Sequence, residues 1–305
     1  MSGAEFDKVL SPATRDALKH LELTARRVVD GVLHGQHRSR RKGVSNEFDH
    51  HTLYQPGDSL RRIDWKASAR QGRIFVRRYI EDTSLSVRLI VDRSASMRSD
   101  PGAHGRPKSL VAAELAACFA YLCLRLRDSV SVGFADPEGP QWLPPRSSES
   151  HLVSILTRLC QDPDGKGAAD PSRCLADLRE RGGRRGLVIL ISDLQYDPSP
   201  VRKELAPLLA QGHEVILCMP GDAVENDFPF RRWMIFEDAE VSGRRHRVDA
   251  VALRRLYEEE CLAHRTDWQD WARGQGVHFI ALRNDASLAE AVATYLVRRQ
   301  AGAAS

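Results

Sequence analysis

Asp92, Ser94 and Ser96 stand at every second position of the run Asp92-Arg93-Ser94-Ala95-Ser96-Met97. One carboxylate and two hydroxyls at this spacing on a tight loop form an oxygen-only donor set. Such a set suits a hard cation such as Mg²⁺, which prefers octahedral oxygen ligands, keeps several waters and takes one or two carboxylates from the protein. A second carboxylate, Asp193, follows the apolar run Leu187 to Ile191. If the two runs are neighbouring strands, Asp92 and Asp193 converge on one cation. The same residues also fit a purely structural role, because Asp and Ser in loops cap helices and bond their own backbone.

The elements that must position these groups are legible from the apolar pattern. Val87 to Val91, Ser129 to Ala135, Leu187 to Ile191, Val215 to Met219 and Val277 to Leu282 are short runs rich in β-branched residues, as expected of strands buried on both faces. Amphipathic stretches at 109–127, 150–159, 172–181, 200–211, 248–273 and 287–298 are each long enough for a crossover helix. The alternation predicts an α/β fold with a doubly wound, mostly parallel sheet, whose ligands bind outside the carboxyl ends of the strands. Asp92 and Asp193 both follow such ends. Ahead of this core, residues 1–82 read as a helical and extended appendage, with residues 83–305 forming the α/β domain. Ser11-Pro12 opens a helix that continues to Leu33, and Ile74, Val76 and Tyr79 alternate as in a strand.

Composition narrows the function classes. The 305 residues are 42% hydrophobic and 28% charged, with a formal net charge of +4. Eleven Lys/Arg against four Asp/Glu fall between His34 and Arg78, so the remainder of the chain is net negative. The six cysteines have no C-x-x-C pairing and read as small buried hydrophobes in a reducing compartment. The longest apolar stretch, Val111 to Leu124, contains Glu114 and is too short to span a bilayer, so the expectation is a cytoplasmic chain without membrane insertion. Gly165-Lys166-Gly167 lacks the Ser/Thr of a P-loop, so ATP hydrolysis by this chain is not expected.

The segment from Tyr54 to Arg70 mixes aromatic, acidic and basic groups densely. Gly57 permits a turn, Asp58 and Asp64 can accept from Arg61, Arg62 or Arg70, and Trp65 can bury its ring with its N–H satisfied. This reads as a self-pinning structural plug or as a partner-binding surface formed by Tyr54, Gly57, Asp58, Arg62, Asp64, Trp65 and Arg70. His50-His51 does not read as a shared metal site, since adjacent positions of an extended segment face opposite ways. Trp268 and Trp271, at i and i+3 of a helix, read as packing residues.

Two resemblances extend these readings. The loop at Asp92, Ser94 and Ser96, with Asp193, resembles the metal-ion-dependent adhesion site of the von Willebrand factor A fold. That site also uses a threonine from a second loop. Here the matching loop is Gly167-Ala168-Ala169-Asp170, with Ala169 at the threonine position and Asp170 beside it as a substitute. The run Tyr54-Gln55-Pro56-Gly57-Asp58 through Arg62-Ile63-Asp64-Trp65-Lys66-Ala67-Ser68-Ala69-Arg70, led by Gly35 to Ser39, Gly43 and Glu47-Phe48, resembles the signature of a bacterial domain-of-unknown-function family, number fifty-eight. The resemblance implies a von Willebrand factor A-like, Rossmann-type domain that works with a MoxR-type AAA+ ATPase. On this reading the chain is a non-enzymatic adaptor in chaperone-like assembly or activation of a client complex. Many members of that family carry membrane helices before this region; none is read in this sequence, so the expectation is that it resembles the soluble branch.

Two other classes compete with the adaptor. A Mg²⁺-dependent phosphoesterase could use Asp92 and Asp193, though no His or Lys at an expected strand end offers a general base. Nucleic-acid binding could use Arg38, Arg40, Arg41, Lys42, Arg61, Arg62, Arg73, Arg77 and Arg78, but aromatics for base stacking are sparse there, and no nucleic-acid partner is expected.

Overall fold

The structure is a computed structural model that describes residues 12–39, 48–54, 64–79, 85–98, 106–161, 167–240 and 243–302. The chain divides into two compact units, residues 1–32 with 85–305, and residues 33–84. The sequence had placed the whole amino-terminal helix in an appendage ending at residue 82. In the structure, helix α1 (Pro12–Ser39) contributes its residues up to Val32 to the larger unit, where Leu21, Ala25 and Val29 are buried.

In the smaller unit, β1 (Phe48–Leu53) and β2 (Phe75–Tyr79) pair antiparallel, and the short helix α2 (Trp65–Gln71) precedes β2. The larger unit is built on a six-stranded sheet of β3 (Ser86–Asp92), β4 (Ser129–Asp136), β5 (Gly139–Arg146), β6 (Leu187–Ile191), β7 (Glu214–Gly221) and β10 (His278–Arg283). Its order is β10-β7-β6-β3-β4-β5, all parallel except β5, which pairs antiparallel to β4. This is the mostly parallel, doubly wound sheet expected from the apolar runs. Every residue of β6, and every residue of β3 after Ser86, is buried, which is why β6 reads as a continuous apolar run and β3 as one interrupted before Asp92 only by Arg88.

Helices cover both faces. On one, α5 (Pro171–Arg181), α6 (Pro198–Ala210) and α8 (Ala250–Gly274) bring Leu175, Leu205, Trp268 and Ala272 against Ile90, Val188, Leu190 and Leu217. On the other, α3 (Lys108–Arg125) and α9 (Ala289–Gly302) meet through an edge-on contact of Phe119 and Tyr295, at 5.7 Å between ring centroids. Helix α4 (Glu149–Leu159) also packs on α3. Trp268 and Trp271 pack edge to face in the core, as their spacing implied, with the Arg202 guanidinium over both rings. All six cysteines are free, four of them buried and Cys160 and Cys261 half-buried.

The antiparallel edge depends on one glycine. A Cβ on Gly133 would lie 2.8 Å from the Trp142 ring, so only glycine lets the indole of β5 cross β4 and donate its Nε1–H to Asp177 at 3.2 Å. The remaining elements are the short helix α7 (Ala223–Asp227) and a separate antiparallel pair, β8 (Trp233–Glu237) with β9 (Arg245–Asp249).

Candidate functional site

Strands β3 and β6 are neighbours, with Val91 opposite Ile191, so Asp92 and Asp193 leave the sheet side by side. From β3 the chain runs through β4 and β5 to one side of the sheet; from β6 it continues to the other. The carboxyl ends of β3 and β6 therefore flank the topological switch point, where open α/β sheets form their ligand crevice.

The loop after β3 is tied down at each step. Arg93 N–H donates to Ala135 O at 3.1 Å, Ser94 N–H to Asp92 Oδ1 at 2.9 Å, and Ala95 N–H to Gly167 O at 3.1 Å. Ser96 opens a single 3₁₀ turn whose Met97 is fully buried. The Arg93 and Arg158 guanidiniums lie over the Phe134 ring and reach Asp136 at 3.4 and 2.9 Å, bracing the loop from behind. As a result the Ser94 and Ser96 hydroxyls stand 3.0 Å apart. The bond from Ala95 to Gly167 also brings the second loop against the first. Ala169 faces the hydrophobic core there, while Asp170 caps α5 by accepting from Ser172 N–H and Oγ–H. Asp170 thus caps the helix through Oδ1.

The electrostatics of the two aspartates differ. Burial, and then the proximity of Asp193, push the Asp92 carboxyl up to about 7, against bonds from Ser192 Oγ–H at 2.6 Å and from Ser94. Asp193 instead receives the ammonium of Lys108, which lies 2.7 Å from Asp193 Oδ2 and 2.7 Å from Glu225 Oε1. Burial alone would depress Lys108, but Asp193 and Glu225 outweigh it and hold the ammonium above its ordinary value. The donors on Asp92 are a hydroxyl and an amide, so its charge lacks the ammonium that Asp193 has.

Mg²⁺ was expected at this site, and the donor chemistry fits it. Asp92, Ser94 and Ser96 are oxygen donors on one loop, Asp193 stands beside them, and Asp92 is a buried carboxylate in need of positive charge. Among the described residues no three His, Cys, Asp or Glu side chains gather as a metal cluster, so any cation site here is hydroxyl-rich. A further buried carboxylate oxygen, Glu240 Oε2, has no hydrogen-bond partner among the described residues, while Glu240 Oε1 accepts from Ser96 N–H at 2.9 Å. The sequence reading missed Lys108, Ser192, Glu225 and Glu240. Of these, only Ser192 carried a signal, as the residue between the β6 run and Asp193.

Two cavities flank the aspartates. One, of about 570 Å³, is lined by Asp193, Tyr196, Glu225, Tyr257 and Arg265. The other, of about 420 Å³, is lined by His20, Asp92, Arg93, Arg98 and Leu110.

The signature segment lies in the smaller unit. Gly57, Asp58 and Arg62 fall outside the described residues. Tyr54 extends the strand pairing through its N–H to Ile74 O at 2.8 Å. Asp64 caps α2, its Oδ1 accepting from Lys66 and Ala67 N–H at 3.1 and 3.0 Å. Ser68 Oγ donates to Asp64 O and accepts from Phe75 N–H, stapling the helix to the strand. Gly72 closes the helix at φ 66°, which favours glycine. Trp65 was expected to be buried; at the first helical position it points outward and is 67% exposed, as is Arg70 in kind. His50 and His51 occupy successive positions of β1.

The sheet order, the covering helices and the carboxylate-hydroxyl loop at a central strand's carboxyl end define a von Willebrand factor A-like α/β domain. The chain belongs to the family described as Protein of unknown function DUF58, which matches residues 51–267. It is 30% identical over 294 residues to uncharacterized proteins of Mycobacterium tuberculosis and Mycobacterium bovis, spanning 96% of this chain and 92% of each relative. Similar solved structures include BatB from Bacteroides thetaiotaomicron, at 15% identity and TM-score 0.47, over 70% of this chain and 98% of that one. An aerotolerance-related membrane protein from Bacteroides fragilis follows at 12% and 0.44, over 70% and 100%. The SpRpn10 VWA domain has 9% identity and a TM-score of 0.38, over 68% and 93%.

The expectation of a cytoplasmic chain does not stand: two of the similar structures are titled as a membrane protein and a membrane spanning protein, a description that belongs to those proteins. No helix among the described residues is long and apolar enough to cross a membrane, and that statement concerns those helices alone.

Proposed function

We propose that this chain is a non-enzymatic docking adaptor that holds a partner protein at the crevice between Asp92 and Asp193, through a divalent cation. The observation that carries the reading is the pairing of those two carboxylates at the switch point with the Ser94 and Ser96 hydroxyls beside them. Asp92, Ser94 and Ser96 would hold the cation, with Asp193 acting through water. When bound, the ion supplies positive charge against Asp92 and an attachment point for an acidic group. Docking is favoured over hydrolysis because Lys108, held as an ammonium by Asp193 and Glu225, has no lone pair with which to take a proton from water. The family resemblance supplies the partner for this proposal, a MoxR-type AAA+ ATPase, with a client complex as the second party.

The test is affinity capture with the tagged full chain from its native lysate, in Mg²⁺ or in EDTA, beside Asp92→Ala and Ser96→Ala. Recovery of an AAA+ ATPase by the wild type only, and only with Mg²⁺, is expected. Recovery in EDTA and by both variants rejects the cation bridge. Recovery of nucleic acid, or turnover of a generic phosphoester, in place of an ATPase rejects the adaptor.

A further inference from the structure

The β8–β9 hairpin brings a third loop to the same crevice. Its turn is set by Asp238, whose N–H donates to Arg244 O at 2.9 Å and whose Oδ1 accepts from Glu240 N–H at 2.9 Å. Glu240 O lies 3.8 Å from where a Cβ on Gly167 would stand, so this turn rests on the second loop. Gly167 in turn accepts from Ala95, between the two serines of the first loop. Three loops therefore meet at Ser94 to Ser96, and the third brings a carboxylate.

One oxygen of that carboxylate is accounted for, since Glu240 Oε1 accepts from Ser96 N–H. The other is buried with no hydrogen-bond partner among the described residues. A buried carboxylate oxygen left unmatched is unfavourable, and a charged one more so. Because Oε1 is fixed on the Ser96 amide, Oε2 is held beside the loop that carries the Ser96 hydroxyl. The second loop offers no oxygen side chain at Ala169, which packs in the core.

We infer that Glu240 is a built-in ligand of the cation site: its free oxygen supplies in cis a carboxylate to the ion held by Asp92, Ser94 and Ser96. The inference rests on the cation reading above. The site is then self-completed, and an acidic group of a partner gains the ion by displacing Glu240.

The plain alternative is that Glu240 only caps the 3₁₀ turn at Ser96. Glu240→Gln separates the two, because the amide oxygen still accepts from Ser96 N–H while the charge and the second carboxylate oxygen are lost. The probe is Mn²⁺ titrated into the full-length wild type, Glu240→Gln and Asp92→Asn at pH 8, read by electron paramagnetic resonance for affinity and by water-proton relaxation for exchangeable waters on the bound ion. The expected result is wild-type melting behaviour in Glu240→Gln, with Mn²⁺ affinity reduced roughly tenfold and more exchangeable water per bound ion. Equal affinity and equal relaxation in wild type and Glu240→Gln, with binding lost in Asp92→Asn, overturns the role of Glu240 and leaves the cation site standing. No Mn²⁺ binding by the wild type overturns both.

Discussion

The ammonium of Lys108 lies 2.7 Å from the carboxylate of Asp193, and neither side chain is more than 2% exposed. Removing one partner of a buried ion pair strands the other charge, at about 3–5 kcal/mol. Lys108→Met keeps the length and the apolar stem but strands Asp193, with Glu225 beside it. A loss of that order is expected in the urea-unfolding free energy at pH 7. A change below about 1 kcal/mol, the range of an exposed ion pair, would mean that water serves as well as the ammonium.

Asp92 gives the protein a pH dependence of definite sign. In the folded chain its carboxyl is raised to about 7, against an ordinary 3.8, so across that interval the folded state holds a proton that the unfolded state has lost. Its contribution to stability is therefore present in acid and declines as pH rises from about 4 through 7, by a few kcal/mol at most at about 1.4 kcal/mol per unit. Without divalent ions, Asp92→Asn is expected to flatten this decline and to melt above the wild type at pH 8. A cation competes with the same proton, so the rise in melting temperature produced by Mg²⁺ grows from pH 6 to pH 8 in the wild type and is absent in Asp92→Asn. Thermal melts at both pH values, with and without Mg²⁺, check both signs.

The contrast between these two residues reflects how much of the site was legible in the chain. Asp92 follows the apolar run Leu89-Ile90-Val91, and burial on both faces leaves a strand little else to be, so the central strands were legible together with the carboxylates at their ends. Lys108 meets partners 85 and 117 residues away. No local pattern distinguishes it from a solvated lysine opening a helix. Glu240 lies on a hairpin whose strands are mostly exposed and carry weak periodicity. Strand β5 was missed for a different reason. It carries Pro140, Pro144 and Pro145, which a central strand excludes but the outer edge of a sheet tolerates.

That edge has its own test. Gly133→Ala places a methyl 2.8 Å from the Trp142 ring, and overpacking of this kind costs about 1–3 kcal/mol. Trp142→Leu in the same chain removes the ring from the path of the methyl. The double variant is expected to lose less stability than the two single losses combined, and a double-mutant cycle by urea unfolding measures the coupling. Strict additivity would show that the sheet edge accommodates the methyl by moving away.

Among its described residues, the signature segment divides into those that build the smaller unit, Asp64 and Ser68, and those that stand exposed, Trp65 and Arg70. Asp64 holds two amides at the start of α2, and loss of such a cap costs about 1 kcal/mol. Asp64→Ala is therefore expected to speed hydrogen exchange at the amides of Lys66 and Ala67. Ser68→Ala does the same at Phe75, whose amide loses its acceptor. Trp65 makes a different case: it is 67% exposed, so Trp65→Ala changes the unfolding free energy by no more than about 0.5 kcal/mol. An aromatic side chain held outward on a capped and stapled helix is well placed as an anchor for a partner. If Trp65→Ala keeps wild-type exchange rates yet loses the captured ATPase, the segment combines a structural cap with a contact residue. If capture survives while the Asp64 and Ser68 variants exchange faster, the segment serves the fold alone.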